Sequence, residues 1–142
     1  MKKILCMFCA FPIVMSAYAE NNNLTLVCKG TLDYIEYPLK KNLADATISE
    51  NSTITYNIKN NLLLGNETSI AIASCKFRED KIYCLNDNKI FYRSVSIDRV
   101  SGKISDDAKH AIEQKDPSSL FYGITAIRNH FEGMCIPAKR QF

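Results

Sequence analysis

Hydrophobic and polar residues alternate with a period of two along most of this chain, the pattern of strands that bury one face. Leu24, Leu26 and Cys28 share one side of a first strand, and Ile54, Tyr56 and Ile58 share a side of another. Ile70 and Ile72 follow, and Phe91, Val95 and Ile97 fall on one face of the run 90–99. The same stretches are rich in β-branched and aromatic side chains, which fit a pleated, half-buried surface. Turn chemistry separates them at Lys59-Asn60-Asn61, Leu64-Gly65-Asn66, Glu79-Asp80, Asn86-Asp87-Asn88 and Ser101-Gly102. Turns at intervals of roughly eight to twelve residues predict sequential antiparallel hairpins.

Two segments depart from the alternation. Residues 39–46, after Pro38, read as a connection with a short helical stretch. Residues 105–115 read as a helix, with Ser105 as its cap, Asp106 and Asp107 in the first turn, and Asp116-Pro117 as its stop. Ala108 and Ile112, four apart, would face the sheet. A last strand over 121–135, bent near Gly133, returns to the core. The predicted fold is mainly β: an antiparallel meander of seven or eight strands curled into a small barrel or sandwich, with one short helix.

The first nineteen residues stand apart from this pattern. Lys2 and Lys3 precede an apolar run over 4–15, and Ala17-Tyr18-Ala19 supplies a small-residue cleavage site before Glu20. The run is shorter than the roughly 20 residues a membrane-spanning helix needs. A secretory signal over 1–19 and a single domain over 20–142 are therefore expected. Removing two lysines and no acid takes the formal net charge from +3 to +1. With neither a basic stripe nor a basic run interleaved with aromatics, nucleic acid is not an expected partner. Phe142 resembles the aromatic ends of outer-membrane barrels, but Pro137, Lys139 and Arg140 interrupt such a strand, and no membrane span is expected after signal cleavage.

Cys28, Cys75, Cys84 and Cys135 remain after the signal, and export favours disulfides. Four cysteines allow three pairings. Cys75 and Cys84 lie on opposite arms of a hairpin turning at Glu79-Asp80, so they form the expected local bridge; Cys28 with Cys135 then ties the first strand to the last. There is no Cys-x-x-Cys pair, and neither His110 nor His130 stands at a zinc spacing, so no metal or other cofactor is expected.

Catalytic signatures are sparse. The chain has no phosphate-binding glycine loop, no Gly-x-Ser-x-Gly elbow and no His-Glu-x-x-His. His130, in the last strand, is the candidate general base of a small hydrolase acting with a carboxylate. Asp98 and Arg99, at the end of the run 94–104, are candidate ligand contacts with His130, although neighbours on a strand point to opposite faces. In the alternative reading Asp98 satisfies turn amides and Arg99 pairs with a nearby carboxylate. Sequons occur at Asn23, Asn51 and Asn66.

Cys28-x-Gly30, the Ile97-Asp98-Arg99-Val100-Ser101-Gly102 run and Gly133-x-Cys135 resemble segments of small, uncharacterised exported proteins of proteobacteria. The resemblance implies a periplasmic β-rich domain and carries no activity. Export, disulfides, modest size and the missing catalytic constellation point to a non-catalytic binding protein. Its partner would be another envelope or secreted protein, as for an inhibitor or immunity protein, or a small apolar ligand in the barrel mouth. The exported chain should begin at Glu20; intact mass after export checks this, and a species retaining residues 1–19 would contradict it.

Overall fold

The computed structural model describes residues 23–38, 46–112, 118 and 124–137. Among them there are eight strands and no helix: β1 (Leu24–Pro38), β2 (Ala46–Lys59), β3 (Leu62–Leu63), β4 (Ala73–Phe77), β5 (Lys81–Asp87), β6 (Phe91–Asp98), β7 (Lys103–Ala111) and β8 (Ile124–Pro137). Each strand pairs antiparallel with the next, and β8 pairs back onto β1, so the sheet forms a ring in simple chain order. Residues 39–45 and 113–117, parts of the two segments that broke the alternation, lie outside the described residues.

The period-two reading places the core. Leu26 and Cys28 of β1, Ile54, Tyr56 and Ile58 of β2, Val95 and Ile97 of β6 and Phe131 of β8 all point inward and are buried. Tyr56 and Phe131, with ring centroids 6.2 Å apart, fill the middle. The turns use the residues the sequence offered. Asn60 and Asn61 both take positive φ, 51° and 62°, which makes a two-residue hairpin between β2 and β3; asparagine tolerates that region better than most side chains. Glu79 and Asp80 turn β4 into β5, where Arg78 N–H donates to the Lys81 carbonyl at 2.7 Å.

Both expected disulfides are present, and each joins residues directly opposite on neighbouring strands: Cys75 with Cys84 across β4–β5, and Cys28 with Cys135 across β1–β8. Next to the second bridge, Gly30 faces Gly133. An added Cβ on Gly30 would collide with the carbonyl of Glu132, and one on Gly133 would lie 2.5 Å from the Lys29 carbonyl oxygen and 2.9 Å from Cζ of Phe131. The strands therefore approach too closely for any side chain there, and the Phe131 ring occupies the space a residue at 133 would need. The Cys-x-Gly and Gly-x-Cys motifs, a hundred residues apart in sequence, are thus the two halves of one closure.

Two expectations are corrected. Over residues 105–111 the expected helix is replaced by β7: Ile104, Asp106 and Ala108 alternate inward while Ser105, Asp107 and Lys109 point out. The ring needs a strand between β6 and β8, and its backbone bonds on both sides outweigh a cap and a weak helical period. The strand expected around Ile70 and Ile72 is an irregular segment instead. Its alternation is inverted, with Ala71 buried and the two isoleucines 76% and 52% exposed.

The two bridges close loops of very different length, with sequence separations of 107 and 9. Chain entropy makes the long bridge worth about 4.8 kcal/mol and the short one about 2.7. Urea unfolding of the Cys28→Ala/Cys135→Ala and Cys75→Ala/Cys84→Ala variants should show the larger loss for the first; equal or reversed losses would contradict it.

Candidate functional site

The most highly organised side-chain cluster sits inside the ring. Arg93 lies at the inward position between Phe91 and Val95, and Asp106 at the inward position between Ile104 and Ala108. Both side chains are fully buried and pair at 2.8 Å (Nη2 to Oδ2), with Nε donating to Oδ1 at 3.3 Å. An unpaired charge here would be very costly, so each group requires the other.

Arg93 also organises the segment between β3 and β4. Its Nη1 donates to the carbonyls of Leu64, Ser69 and Ala71, and its Nη2 to Asn66 Oδ1 and Thr68 Oγ1. Thr68 Oγ1 donates to Asp106 Oδ2 at 2.7 Å, and Asn129 Nδ2 donates to the Thr68 carbonyl at 2.7 Å. One guanidinium thus satisfies backbone carbonyls that an irregular buried segment would otherwise leave bare. This explains why residues 69 and 71 turn inward and leave Ile70 and Ile72 in solvent. The Tyr56 hydroxyl is buried beside Thr68 and Asp106. Burial and the nearby Asp106 carboxylate push its ionisation far above the ordinary tyrosine value, so it stays neutral. Asn66 is the first residue of a sequon, yet its Nδ2 donates to the Thr55 carbonyl. A glycan there would displace that bond, whereas Asn23 and Asn51 are exposed.

The candidates named from sequence lie elsewhere and apart. Asp98 accepts from the amides of Val100 and Ser101, at 3.0 and 2.7 Å, and its carbonyl accepts from Gly102 N–H. The Ser101 bonds hold its pKa below the ordinary carboxylate value. Its folded-state pKa being depressed, this interaction favours the fold at neutral pH and fades as the pH falls below the usual carboxylate range. Arg99 donates to the Arg78 carbonyl at 2.9 Å. Both residues border a cleft of about 290 Å³ at the end of the ring that holds residues 23 and 137, floored by Leu26, Ile82 and Ile97.

His130 is on the outer face of β8, bordering a shallow cleft with Asp33, Ser96, Ser105 and Glu132. Its Nε2 is 3.4 Å from Glu132 Oε1, while Nδ1 is buried and unbonded. Among the described residues no hydroxyl is hydrogen-bonded to His130 and no group of His, Cys, Asp and Glu could hold a metal ion. Along the same face, Arg128 holds Asp107 through two bonds of 2.6 and 2.9 Å, which keeps the guanidinium charged. His110, expected on a helix, stacks on Phe91 with centroids 4.3 Å apart.

The Arg93–Asp106 pair was legible only in hindsight of register, since each residue interrupts an inward apolar stripe at the i+2 position. Asp106→Asn and Arg93→Met should each lower stability by about 3–5 kcal/mol, because each strands a buried group. The double variant Arg93→Met/Asp106→Leu should lose less than the sum. Denaturation of the three variants measures the coupling, and additive losses would contradict it. Compared with protein-family models, with characterised proteins and with solved structures, the chain matches none.

Proposed function

We propose that this chain is a non-catalytic binding protein of the bacterial envelope, of the inhibitor or immunity type, with another envelope or secreted protein as its partner. The observation that carries the reading is the outer face of β3–β5. Leu62, Tyr83 and Leu85 lie on it, with Ile72 just before β4, and all four are exposed. Leu62 and Leu85 flank Ser74 in one row of the sheet. Large apolar side chains grouped on one outer face are the composition of a protein-binding surface.

The interior supports the same direction. We read the ring as a small barrel, and its middle is taken up by Arg93, Tyr56 and Phe131, three of the largest fully buried side chains. A ligand would have to bind at the rim or outside. Two disulfides are compatible with an oxidising, extracytoplasmic compartment, which agrees with the signal read over residues 1–19.

A second reading, a small hydrolase using His130 with Glu132, draws on their 3.4 Å approach beside the outer cleft. One preparation separates the two. The binding protein should inhibit muramidase digestion of peptidoglycan saturably, and Leu85→Lys, a surface change that leaves the fold intact, should weaken inhibition at least tenfold. Absence of inhibition, or inhibition indifferent to Leu85→Lys, would contradict the reading, and turnover abolished by His130→Ala would replace it with the hydrolase.

A further inference from the structure

The ring has an incomplete seam. β1 and β2 share thirteen residue pairs, but β2 and β3 share only two, Ile58 with Leu63 and Lys59 with Leu62. Beyond them Leu64 N–H still reaches the Asn57 carbonyl and Asn66 Nδ2 the Thr55 carbonyl; no further hydrogen bond reaches the β2 backbone from that side among the described residues. Because backbone groups of a strand alternate sides, the two bonds fix the parity. Odd-numbered residues of β2 turn their N–H and C=O away from β1, and the register over 46–58 has no bulge. Thr47, Ser49, Asn51 and Thr53 therefore present four N–H and four C=O groups to an edge that nothing among the described residues pairs with, and all four residues are exposed.

The chemistry around the edge specifies what would cover it. Eight unpaired backbone groups at strand spacing are matched by one extended polypeptide. Side chains on the inner face of this stretch are Ile48, 64% exposed, and Glu50; the opposite bank of the gap carries exposed Ile70 and Glu67. Glu36 lies on β1 opposite Ala46, and β2 has no lysine or arginine between residues 46 and 58. Glu36, Glu50 and Glu67 have no ion-pair partner among the described residues. Lys109 and His110 line the cleft that Glu67 and Ile70 border, so the acidic and partly apolar bank is that of β1 and β2, with Glu36, Glu50 and Ile48. A second copy of β2 would bring another Glu50 to it, which like-charge repulsion disfavours.

We propose that the open edge of β2, residues 47–53, receives an extended basic segment of the partner protein as an added strand. The inference rests on the protein-binding reading above and deepens it. The edge lies on the same strand as the residues that pair with β3, whose Leu62 belongs to the apolar outer face, so one partner can span both.

The test uses the exported protein with its disulfides intact and a ten-residue peptide alternating lysine with valine, followed by fluorescence anisotropy. Binding should be saturable. It should fall at least tenfold for the peptide with glutamate in place of lysine, and for one with alternate amides N-methylated, which cannot pair. Ser49→Pro should also weaken it at least tenfold. The N–H it removes points away from β1, so the β1–β2 ladder and the thermal transition should survive. Should that variant fail to fold, Glu50→Lys replaces it, with the same expected loss. Leu85→Lys should leave peptide binding unchanged, so failure of the outer-face reading and failure of the edge are told apart. No binding by the unaltered protein, equal binding of the N-methylated peptide, or indifference to Ser49→Pro or Glu50→Lys would overturn the proposal. So would a protein that sediments as a dimer and becomes monomeric with Ser49→Pro, since the edge would then belong to a second copy.

Discussion

The pairing of β8 onto β1 is the constraint from which the rest of this structure follows. A meander of hairpins forms from local contacts alone, but a ring requires its first and last strands to meet, at the entropic cost of closing a loop of more than a hundred residues. Here that meeting is fixed three times along successive inward positions. Cys28 bonds to Cys135, Gly30 lies against Gly133, and Leu32 faces Phe131. The bridge removes conformations from the unfolded chain, the glycines allow the strands to approach, and the phenylalanine fills the space they vacate. With the seam closed, the alternating side chains of the strands share one interior, and the outward-facing positions are left to solvent.

Inside, the buried Arg93–Asp106 pair does for the segment over 64–72 what sheet pairing does for the strands. Only two residue pairs join β2 to β3, so this part of the wall is made of irregular chain whose carbonyls must find donors. Arg93 supplies them from across the ring. The arrangement trades an apolar interior for a specified path of the chain, and its by-products are functional candidates. Ile70 and Ile72 are turned outward, and the upper half of β2, paired with β1 on one side, has no strand on its other side among the described residues. The apolar outer face of β3–β5 and the open edge of β2 lie on either side of the same segment, so the proposed binding partner would meet both.

Much of this was legible in the sequence, and the reasons for the rest are specific. Period-two stripes such as Ile54, Tyr56 and Ile58 gave the strands their inward faces, and hairpin spacing selected the disulfide pairing from three. The segment at 105–115 misled because Ser105, Asp106 and Asp107 have the chemistry of a helix start, and local propensity carries no information about a partner strand. The same carboxylates became a buried ion-pair partner and a surface one because they alternate across a sheet. Arg93 was hidden for a related reason: charge usually marks the outer face, and only the register of its own stripe places it inside. Asp98 and Arg99 border one cleft and His130 another, so the three candidates do not converge on a single site. The edge of β2 had no sequence signature, since it arises from the shortness of β3.

Residue-resolved amide hydrogen exchange tests the central claim most directly, because ring closure and the open edge predict opposite behaviour in adjacent strands. The amides of β1 between residues 29 and 33 that bond to β8 should exchange only with global unfolding. Along residues 47–53 of β2, protection should alternate, with Ile48, Glu50 and Ser52 slow and Thr47, Ser49, Asn51 and Thr53 fast. Uniform protection across 47–53 would mean that the chain itself covers the edge, and early exchange along β1 and β8 would mean that the ring is not closed there.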